Sequence, residues 1–178
     1  STNDFCSQKN YQFVIVNITE SELISKIFGE FNTTSLINFA AETHVDRSID
    51  KSDNFIKTNI FGTYNLLENS RIYLKNNRGI DFKFVHISTD EVFGSLFDGK
   101  KFNEETSYDP SSPYSASKAS SDHLVKAWFR TYNLPIVITN CSNNYGPFQF
   151  PEKLIPITIL NALMDRNISL YGNGSQIR

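Results

Sequence analysis

Short apolar segments alternate with longer segments of helical periodicity along most of this 178-residue chain. Apolar runs predict strands at residues 11–16, 35–41, 82–88 and 135–141, with a further strand-like segment at 168–171. Apolar residues at helical spacing predict helices at residues 20–31, 53–74, 112–132 and 154–164. Strands that alternate with helices form parallel sheets, because a parallel pair needs a long crossover connection. The pattern therefore predicts an α/β fold with a doubly wound parallel sheet.

Two adjacent carboxylates, Asp90 and Glu91, follow Thr89 just after the strand predicted at 82–88. Open α/β sheets bind their ligands outside the carboxyl ends of the strands. Two acids at such a place can divide the roles of proton donor and proton acceptor when their surroundings differ. The pair indicates a catalytic site, and the alternative is an acidic, solvated loop.

Tyr114 and Lys118 lie four residues apart, on one face of the helix predicted at 112–132. A nearby ammonium group stabilises a phenolate and makes tyrosine a usable base near neutral pH. Ser112 is the expected N-cap and Pro113 the first helical residue. Because this spacing also arises by chance, a surface pair without chemistry is the alternative.

Composition narrows the classes of function. The chain has 17 basic and 19 acidic residues, so its charge gives no case for nucleic-acid or membrane binding. No apolar run approaches the roughly 18 residues of a spanning helix. Cys6 and Cys141 are too few for a disulfide framework, which favours a reducing, cytoplasmic compartment. Histidine and cysteine at metal-binding spacing are missing, so we expect no metal.

Several sequence blocks resemble, in order, the extended short-chain dehydrogenase/reductases, and within them the nucleotide-sugar 4,6-dehydratases. They are NFAAETHVDRSI (38–49), TNIFGT (58–63), HISTDEVFG (86–94), PYSASK (113–118), CSNNYGP (141–147), PEKLIP (151–156) and YGNG (171–174). Thr-Asp-Glu with a downstream Tyr-x-x-x-Lys is specific to the dehydratases. The resemblance implies a Rossmann-like NAD-binding domain and a nucleoside-diphosphate glucose as substrate, with dTDP-glucose favoured and thymine versus uracil left open.

The resemblance also implies catalytic roles. Tyr114 takes the proton of the sugar 4-hydroxyl, and Thr89 hydrogen-bonds that oxygen. Lys118 lowers the pKa of Tyr114 and holds the ribose of NAD. Glu91 removes the proton on carbon 5, while Asp90 protonates the leaving 6-hydroxyl. The expected reaction is dehydration to a 4-keto-6-deoxy sugar through an internal hydride transfer.

The matching positions further imply two sets of contacts. Those expected at NAD are Asn17, Ile18, Ala40, Ala41, Glu42, Thr58, Asn59, Ser88, Tyr114, Lys118 and Asn144. Those expected at the sugar nucleotide are His44, Thr89, Asn143, Lys153, Leu154, Ser169, Leu170, Tyr171 and Arg178. The chain departs from the family at Asn17, which replaces an Asp, and at Ser169, where many relatives have Pro. Tight packing at the alanines and a turn at Asn143–Asn144 are the non-functional alternatives.

The chain has roughly half of the length that the resemblance requires, and no Gly-x-x-Gly-x-x-Gly opens it. Residues 1–178 are therefore expected to be the central and C-terminal part of the NAD-binding domain, incomplete at both ends. The glycine-rich loop and most of the substrate lobe would lie outside it. We expect the isolated chain to bind NAD weakly or not at all, and the full-length protein to be a homodimer. Two other hypotheses stay open: a UDP-sugar 4-epimerase or decarboxylase of the same superfamily, and an inert piece with a structural role.

Overall fold

A computed structural model of the chain describes residues 10–96, 101–170 and 173–174. The chain divides into two units. One is Phe13–Ser142, and the other comprises Ser1–Gln12 and Asn143–Arg178. None of the described helices has the length and apolar character needed to span a lipid bilayer.

The unit Phe13–Ser142 contains a sheet of three parallel strands. They are β1 (Ser35–Asn38), β2 (Lys83–Thr89) and β3 (Ile136–Cys141), in the spatial order β1-β2-β3. Residue 36 pairs with 84 and residue 84 with 136, so the strands lie in register across the sheet. The α/β fold with a parallel sheet is thereby confirmed.

Helices make the crossovers between the strands. Those of this unit are α1 (Ser21–Phe31), α2 (Val45–Asp50), α3 (Ser52–Phe55), a π-helix (Ile56–Gly62), α4 (Thr63–Asn76), a 3₁₀-helix (Asp90–Phe93) and α5 (Pro113–Tyr132). The other unit contains α6 (Leu154–Leu163). The helix predicted at 53–74 is thus a continuous helical segment with a π-helical centre, and α2 was not predicted.

An apolar core lies between the sheet and helices α1, α4 and α5. Alternate residues of a strand face opposite sides, so Leu36, Phe84 and Ile136 form one row against this core. The neighbouring row contains Ile37 and Val137, which are 55% and 42% exposed. The helices of this unit therefore cover one face of the sheet, and the second layer of a doubly wound sheet stays a prediction.

Three strand predictions need correction. Residues 11–16 have no strand, and no strand in the described parts of the chain lies beside them to supply the hydrogen bonds that an extended segment needs. Strand β1 ends at Asn38, three residues early, because the Asn38 side chain accepts a hydrogen bond from the backbone N–H of Ala40 (3.1 Å) and turns the chain. Residues 168–170 are irregular, and residue 171 lies outside the described residues.

Candidate active site

The acid pair lies on a short capped turn at the carboxyl end of β2. The Thr89 hydroxyl oxygen accepts a hydrogen bond from the backbone N–H of Glu91 (3.2 Å) and caps the 3₁₀-helix that carries Asp90 and Glu91. Val92 and Phe93, which follow them, are buried and anchor the turn. Asp90 and Glu91 themselves remain half-buried. The local sequence therefore holds both carboxylates at the edge where such sheets bind ligands.

Gly94 closes this turn. Its φ of +84° lies in the left-handed region, and a Cβ there would approach the backbone oxygen of Asp109 to 2.5 Å. The backbone N–H of Asp109 in turn donates to the carbonyl oxygen of Val92 (2.9 Å). Only glycine fits this close approach without moving the backbone. The segment before α5 is thereby held against the acidic turn.

The start of α5 positions Tyr114. Ser112 and Ser115 form a capping box, with Pro113 in the first turn, so the predicted N-cap is confirmed. The Ser48 hydroxyl on α2 accepts from the backbone N–H of Tyr114 (3.2 Å), and the Phe55 ring meets the Tyr114 ring edge-on at 6.4 Å. Tyr114 is only 9% exposed as a result.

The electrostatics of Tyr114 link it to the acid pair. Burial raises the pKa of the Tyr114 phenol, and the negative charge of Glu91 raises it further, with a smaller addition from Asp90. A side-chain hydrogen bond with Thr89 acts in the opposite direction. Thr89, Asp90, Glu91 and Tyr114 therefore lie in one cluster, and their catalytic roles stay predictions.

Lys118 is buried below Tyr114 on the same face of α5. Its Nζ donates to the backbone carbonyl oxygen of Ile87 on β2 (2.7 Å), and it is 4% exposed. Burial lowers the pKa of this ammonium group, and the nearby Asp122 carboxylate opposes that effect. The lowering of the Tyr114 pKa by Lys118, which the resemblance implied, stays a prediction.

Asn59, on the π-helix, is 1% exposed and makes three hydrogen bonds. Its Oδ1 accepts from the backbone N–H of Glu42 (2.9 Å), and its Nδ2 donates to the carbonyl oxygen of Glu42 (3.1 Å) and to the Ser117 hydroxyl (2.8 Å). These bonds join the loop after β1 to α5. Asn59 thus fixes the backbone at Glu42, and its contact with NAD stays a prediction.

The loop after β1 presents small side chains and a histidine. Ala40 is exposed, while Ala41 and Glu42 are half-buried. His44 immediately precedes α2, and its Nδ1 is buried without a hydrogen-bond partner among the described residues. An unpaired buried nitrogen is costly unless a ligand or water satisfies it. The substrate contact expected at His44 stays a prediction.

A cavity of about 340 Å³ brings together two predicted cofactor residues that lie far apart in sequence. It is lined by Asn17, Thr19, Asn54, Lys57, Thr58 and Phe61. The backbone carbonyl oxygen of Ile18 accepts from Asn65 Nδ2 (2.6 Å), and a Cβ at Gly62 would collide with the Ile18 side chain. The π-helix and α4 thus hold the Asn17–Thr19 turn at the edge of this cavity.

The remaining predicted residues belong to the other unit or lie outside the described residues. Lys153 is the residue before α6, and its Nζ is 3.7 Å from a Glu152 carboxylate oxygen. Asn144 accepts a hydrogen bond at its carbonyl oxygen from Gln149 (3.0 Å). The exposed residues of this group are Asn143, Asn144, Leu154, Ser169 and Leu170. Tyr171 and Arg178 lie outside the described residues, and the roles of all of them stay predictions.

Sequence reasoning missed two buried polar residues behind this cluster, His86 and Asp122, whereas Ser88 was predicted as an NAD contact and stays so. His86 on β2 and Asp122 on α5 are fully buried, and Ser88 donates to the Asp122 carboxylate (2.7 Å). Two signals were present in the sequence. Asp122 follows Tyr114 and Lys118 at the same four-residue spacing, and His86 and Ser88 alternate with apolar residues along β2.

The sequence pattern of the GDP-mannose 4,6 dehydratase family matches residues 1–178, and the chain belongs to this family. A probable dTDP-glucose 4,6-dehydratase from Sinorhizobium fredii (strain NBRC 101917 / NGR234) is 55% identical over 173 residues, which are 96% of this chain and 49% of that protein. The chain spans about half the length of the curated relatives it matches.

Solved structures extend the comparison. The structure of a dTDP-glucose 4,6-dehydratase from Streptomyces venezuelae with NAD and TYD bound is similar, with a TM-score of 0.88 and 40% identity over 97% of this chain and 51% of that one. A UDP-glucuronic acid 4-epimerase from Bacillus cereus, in complex with UDP-glucuronic acid and NAD, has a TM-score of 0.86 and 28% identity over 98% of this chain and 52% of that one. The shared fold therefore does not separate the two reactions.

Proposed function

We propose that the complete protein dehydrates dTDP-glucose to the 4-keto-6-deoxy sugar, with NAD as a bound cofactor. The observation that carries this proposal is the acid pair Asp90–Glu91 on its capped turn, close enough for both charges to act on the Tyr114 phenol. The identity to dTDP-glucose 4,6-dehydratases supports it.

The residues present fit NAD. The cavity beside Asn17 and Thr58 has polar walls and room for part of a dinucleotide, and the exposed Ala40 leaves the neighbouring backbone open to close approach. NAD bound at these residues would supply the hydride chemistry, with carbon 4 of the sugar as the hydride donor and carbon 6 as the later acceptor. Lys118 is the residue proposed to hold its ribose, and Asn17, Ile18, Ala40 to Glu42 and Thr58 would line the rest of the site.

The chain's own residues move the protons of this reaction. Tyr114 accepts the proton of the 4-hydroxyl as the carbon 4 ketone forms, and Thr89 hydrogen-bonds the same oxygen. The ketone acidifies carbon 5, and Glu91 removes the proton there. Asp90 gives its proton to the 6-hydroxyl, which leaves as water while a double bond forms between carbons 5 and 6. A proton then returns to carbon 5 when carbon 6 is reduced, and the two carboxyl roles explain why two adjacent acids are needed.

The 4-epimerase hypothesis is the second candidate, because an epimerase structure has nearly the same fold. Epimerisation removes hydride from carbon 4 and returns it to the same carbon. It expels no water and needs no acid for a leaving hydroxyl. Asp90 and Glu91 would have no task in that reaction, which is why we favour dehydration.

The complete protein, supplied with NAD and dTDP-glucose in deuterated water, tests the proposal. Dehydration gives a product lighter by one water, with solvent deuterium on carbon 5. An isomer of unchanged mass without deuterium on carbon 5 would establish the epimerase reaction instead. UDP-glucose, assayed in parallel, decides between thymine and uracil.

We further propose a homodimer built on an aromatic patch of the complete protein. The patch consists of Phe61, Tyr64, Phe129 and Tyr132, each between 39% and 51% exposed, on the π-helix, α4 and α5. Exposed patches of large apolar side chains commonly mark interfaces. Light scattering should give twice the mass of one chain, and Phe129→Glu should reduce it to one. The dependence on NAD and nucleotide sugars leads us to propose a cytoplasmic location, testable by cell fractionation.

A further inference from the structure

Asp122 is a fully buried carboxylate that the proposed mechanism does not use. It lies on α5, one helical turn beyond Lys118, and is 0% exposed. Its Oδ2 accepts from the Ser88 hydroxyl (2.7 Å) and the Tyr108 hydroxyl (2.9 Å), with Asn140 Nδ2 at 3.5 Å. A buried carboxylate costs several kcal/mol unless donors surround it. Three elements supply donors here: β2, the segment before α5, and β3.

The hydrogen bonds of His86 define its tautomer. The Ser121 hydroxyl donates to the carbonyl oxygen of Lys118 (2.8 Å), so towards His86 Nε2 (3.1 Å) it must accept. His86 Nδ1 accepts from Asn38 Nδ2 (3.4 Å). The proton is therefore on Nε2, which faces Asp122 Oδ1 at 3.3 Å. Burial lowers the pKa of His86 despite Asp122, so the imidazole is neutral near pH 7.

Two consecutive residues of β2 are bound to consecutive turns of α5, immediately before the catalytic turn. Lys118 Nζ donates to the carbonyl oxygen of Ile87, and the Ser88 hydroxyl donates to Asp122. Asn140, on β3, also donates to the carbonyl oxygen of Thr89 (3.2 Å). Asp122 thus connects the strand that ends at Thr89 with helix α5, which carries Tyr114 in its first turn.

We propose that Asp122 is a positioning residue, whose carboxylate holds the end of β2 and the Lys118 ammonium in register with Tyr114 for the reaction. The proposal rests on the proposed dehydratase function. It predicts an effect on the chemical step and not on nucleotide affinity, because Asp122 is buried behind the site and has no exposed atom to offer a substrate.

The charge of Asp122 gives this role a signature in the pH profile. The titratable groups on which Asp122 acts are His86, Tyr108, Tyr114 and Lys118; Lys126 lies over the Tyr108 ring, and Asp90 and Glu91 act on Tyr114. Burial and Glu91 raise the pKa of Tyr114, and Asp122 adds to that rise. Burial lowers the pKa of Lys118, and Asp122 opposes that fall. Removing this negative charge should therefore lower the pKa of both groups.

Asp122→Asn in the complete protein tests the proposal, because the amide keeps the shape and removes the charge. A misplacement of the reacting groups should reduce kcat by about 10- to 10²-fold, whereas KM for dTDP-glucose should stay within about twofold. The two limbs of the kcat–pH profile, which we assign to Tyr114 and Lys118, should both move to lower pH. Ser70→Ala is the matched control: Ser70 is equally buried, and within the described part of the chain its hydroxyl bonds only the Leu66 carbonyl oxygen on α4 (2.7 Å). The control should keep kcat and the pH profile.

Ser88→Ala distinguishes the effect of the hydrogen bond between β2 and Asp122 from the effect of the Asp122 charge. It removes the link to β2 and keeps the carboxylate, so kcat should fall by roughly 2- to 10-fold, the effect of one hydrogen bond, with both limbs unmoved. Wild-type kcat and unmoved limbs in Asp122→Asn would overturn the proposal. If Asp122→Asn does not fold, Ser88→Ala decides alone: a lowered kcat at unchanged KM supports the proposal, and wild-type kinetics overturn it. A wild-type protein that performs no dehydration would overturn both this proposal and the proposed function.

Discussion

The unit Phe13–Ser142 has two interiors of equal burial and opposite chemistry. Between α1, α4 and β2, the rings of Phe28 and Tyr73 stack at 5.2 Å, and Phe82 meets Phe28 at 6.2 Å. Between the first half of α5 and the carboxyl end of β2, the buried side chains include those of Lys118 and Asp122 with their hydroxyl, amide and imidazole partners. The first interior stabilises by removing apolar area from water, at about 25 cal/mol per Å². The second must satisfy each polar group by hydrogen bonding merely to offset its desolvation.

Strand β2 passes from one interior to the other along a single face. The residues that point towards the helices are Phe82 just before the strand, then Phe84, His86 and Ser88, and none is more than 5% exposed. Their character changes from aromatic to polar towards the carboxyl end, where parallel sheets bind ligands. The apolar interior therefore stabilises the position of β2, and the polar interior orients its carboxyl end. Substitutions in the two interiors should therefore separate stability from activity.

The largest effect is expected at Tyr114 in the complete protein. Tyr114→Phe keeps the ring that packs against Phe55 and removes the oxygen that takes the sugar proton, so turnover should fall by at least about 10²–10⁴-fold. NAD should remain bound, because the phenol oxygen adds little to the affinity. Steady-state kinetics and the NAD content of the purified variant measure the two quantities. Turnover at the wild-type rate would remove Tyr114 from the mechanism.

The acid pair should affect the steps after carbon 4 is oxidised. Asp90→Asn cannot protonate a leaving hydroxyl and Glu91→Gln cannot accept the carbon 5 proton, so product formation should fall about 10²–10⁴-fold in either variant. Both should still form enzyme-bound NADH, visible by its absorbance. Glu91→Gln should also stop the entry of solvent deuterium at carbon 5. Normal product rates in both variants would show that the acid pair has no catalytic role and would favour the epimerase hypothesis.

Several strands, the start of α5 and the residues of the candidate site could be predicted from the sequence. Apolar runs located β2 and β3 to within a residue, and serine followed by proline located the start of α5. The Tyr114–Lys118 spacing and the adjacent acids indicated the cluster. These signals are local: each depends on a few neighbouring residues and on the geometry of one element.

The features that could not be predicted depend on partners distant in sequence. The π-helical centre at Ile56–Gly62 surrounds Asn59, whose bonds reach Glu42 and Ser117. The raised pKa of Tyr114 results from burial and from charges on a different element. The stretch at 11–16 has a strand-like composition, but a strand needs a neighbour for its hydrogen bonds. Patterns along the chain do not contain that information.

A smaller effect, on stability alone, is expected in the apolar interior. Leu67 on α4 is 0% exposed, so Leu67→Ala leaves a cavity and should lower the free energy of unfolding by about 2–5 kcal/mol. The turnover number per folded molecule should be unchanged below the unfolding transition. Chemical denaturation measures the first and active-site titration the second. The control is Leu163→Ala on α6, where the side chain is 80% exposed and the change should stay within about 0.5 kcal/mol.

The smallest effect is expected at Ser112, the N-cap of α5. The Ser112 hydroxyl accepts from the backbone N–H of Ser115 (3.1 Å), so Ser112→Ala should cost about 0.5–2 kcal/mol of stability. The start of α5 is also held by Ser48, which accepts from the Tyr114 N–H, and so the helix should fray without unwinding. We expect a modest fall in kcat that Ser112→Asp, another good N-cap, restores. If Ser112→Ala lost activity as severely as Tyr114→Phe, the cap itself would be part of the site. Effects on stability and effects on activity would then not be separable at this helix.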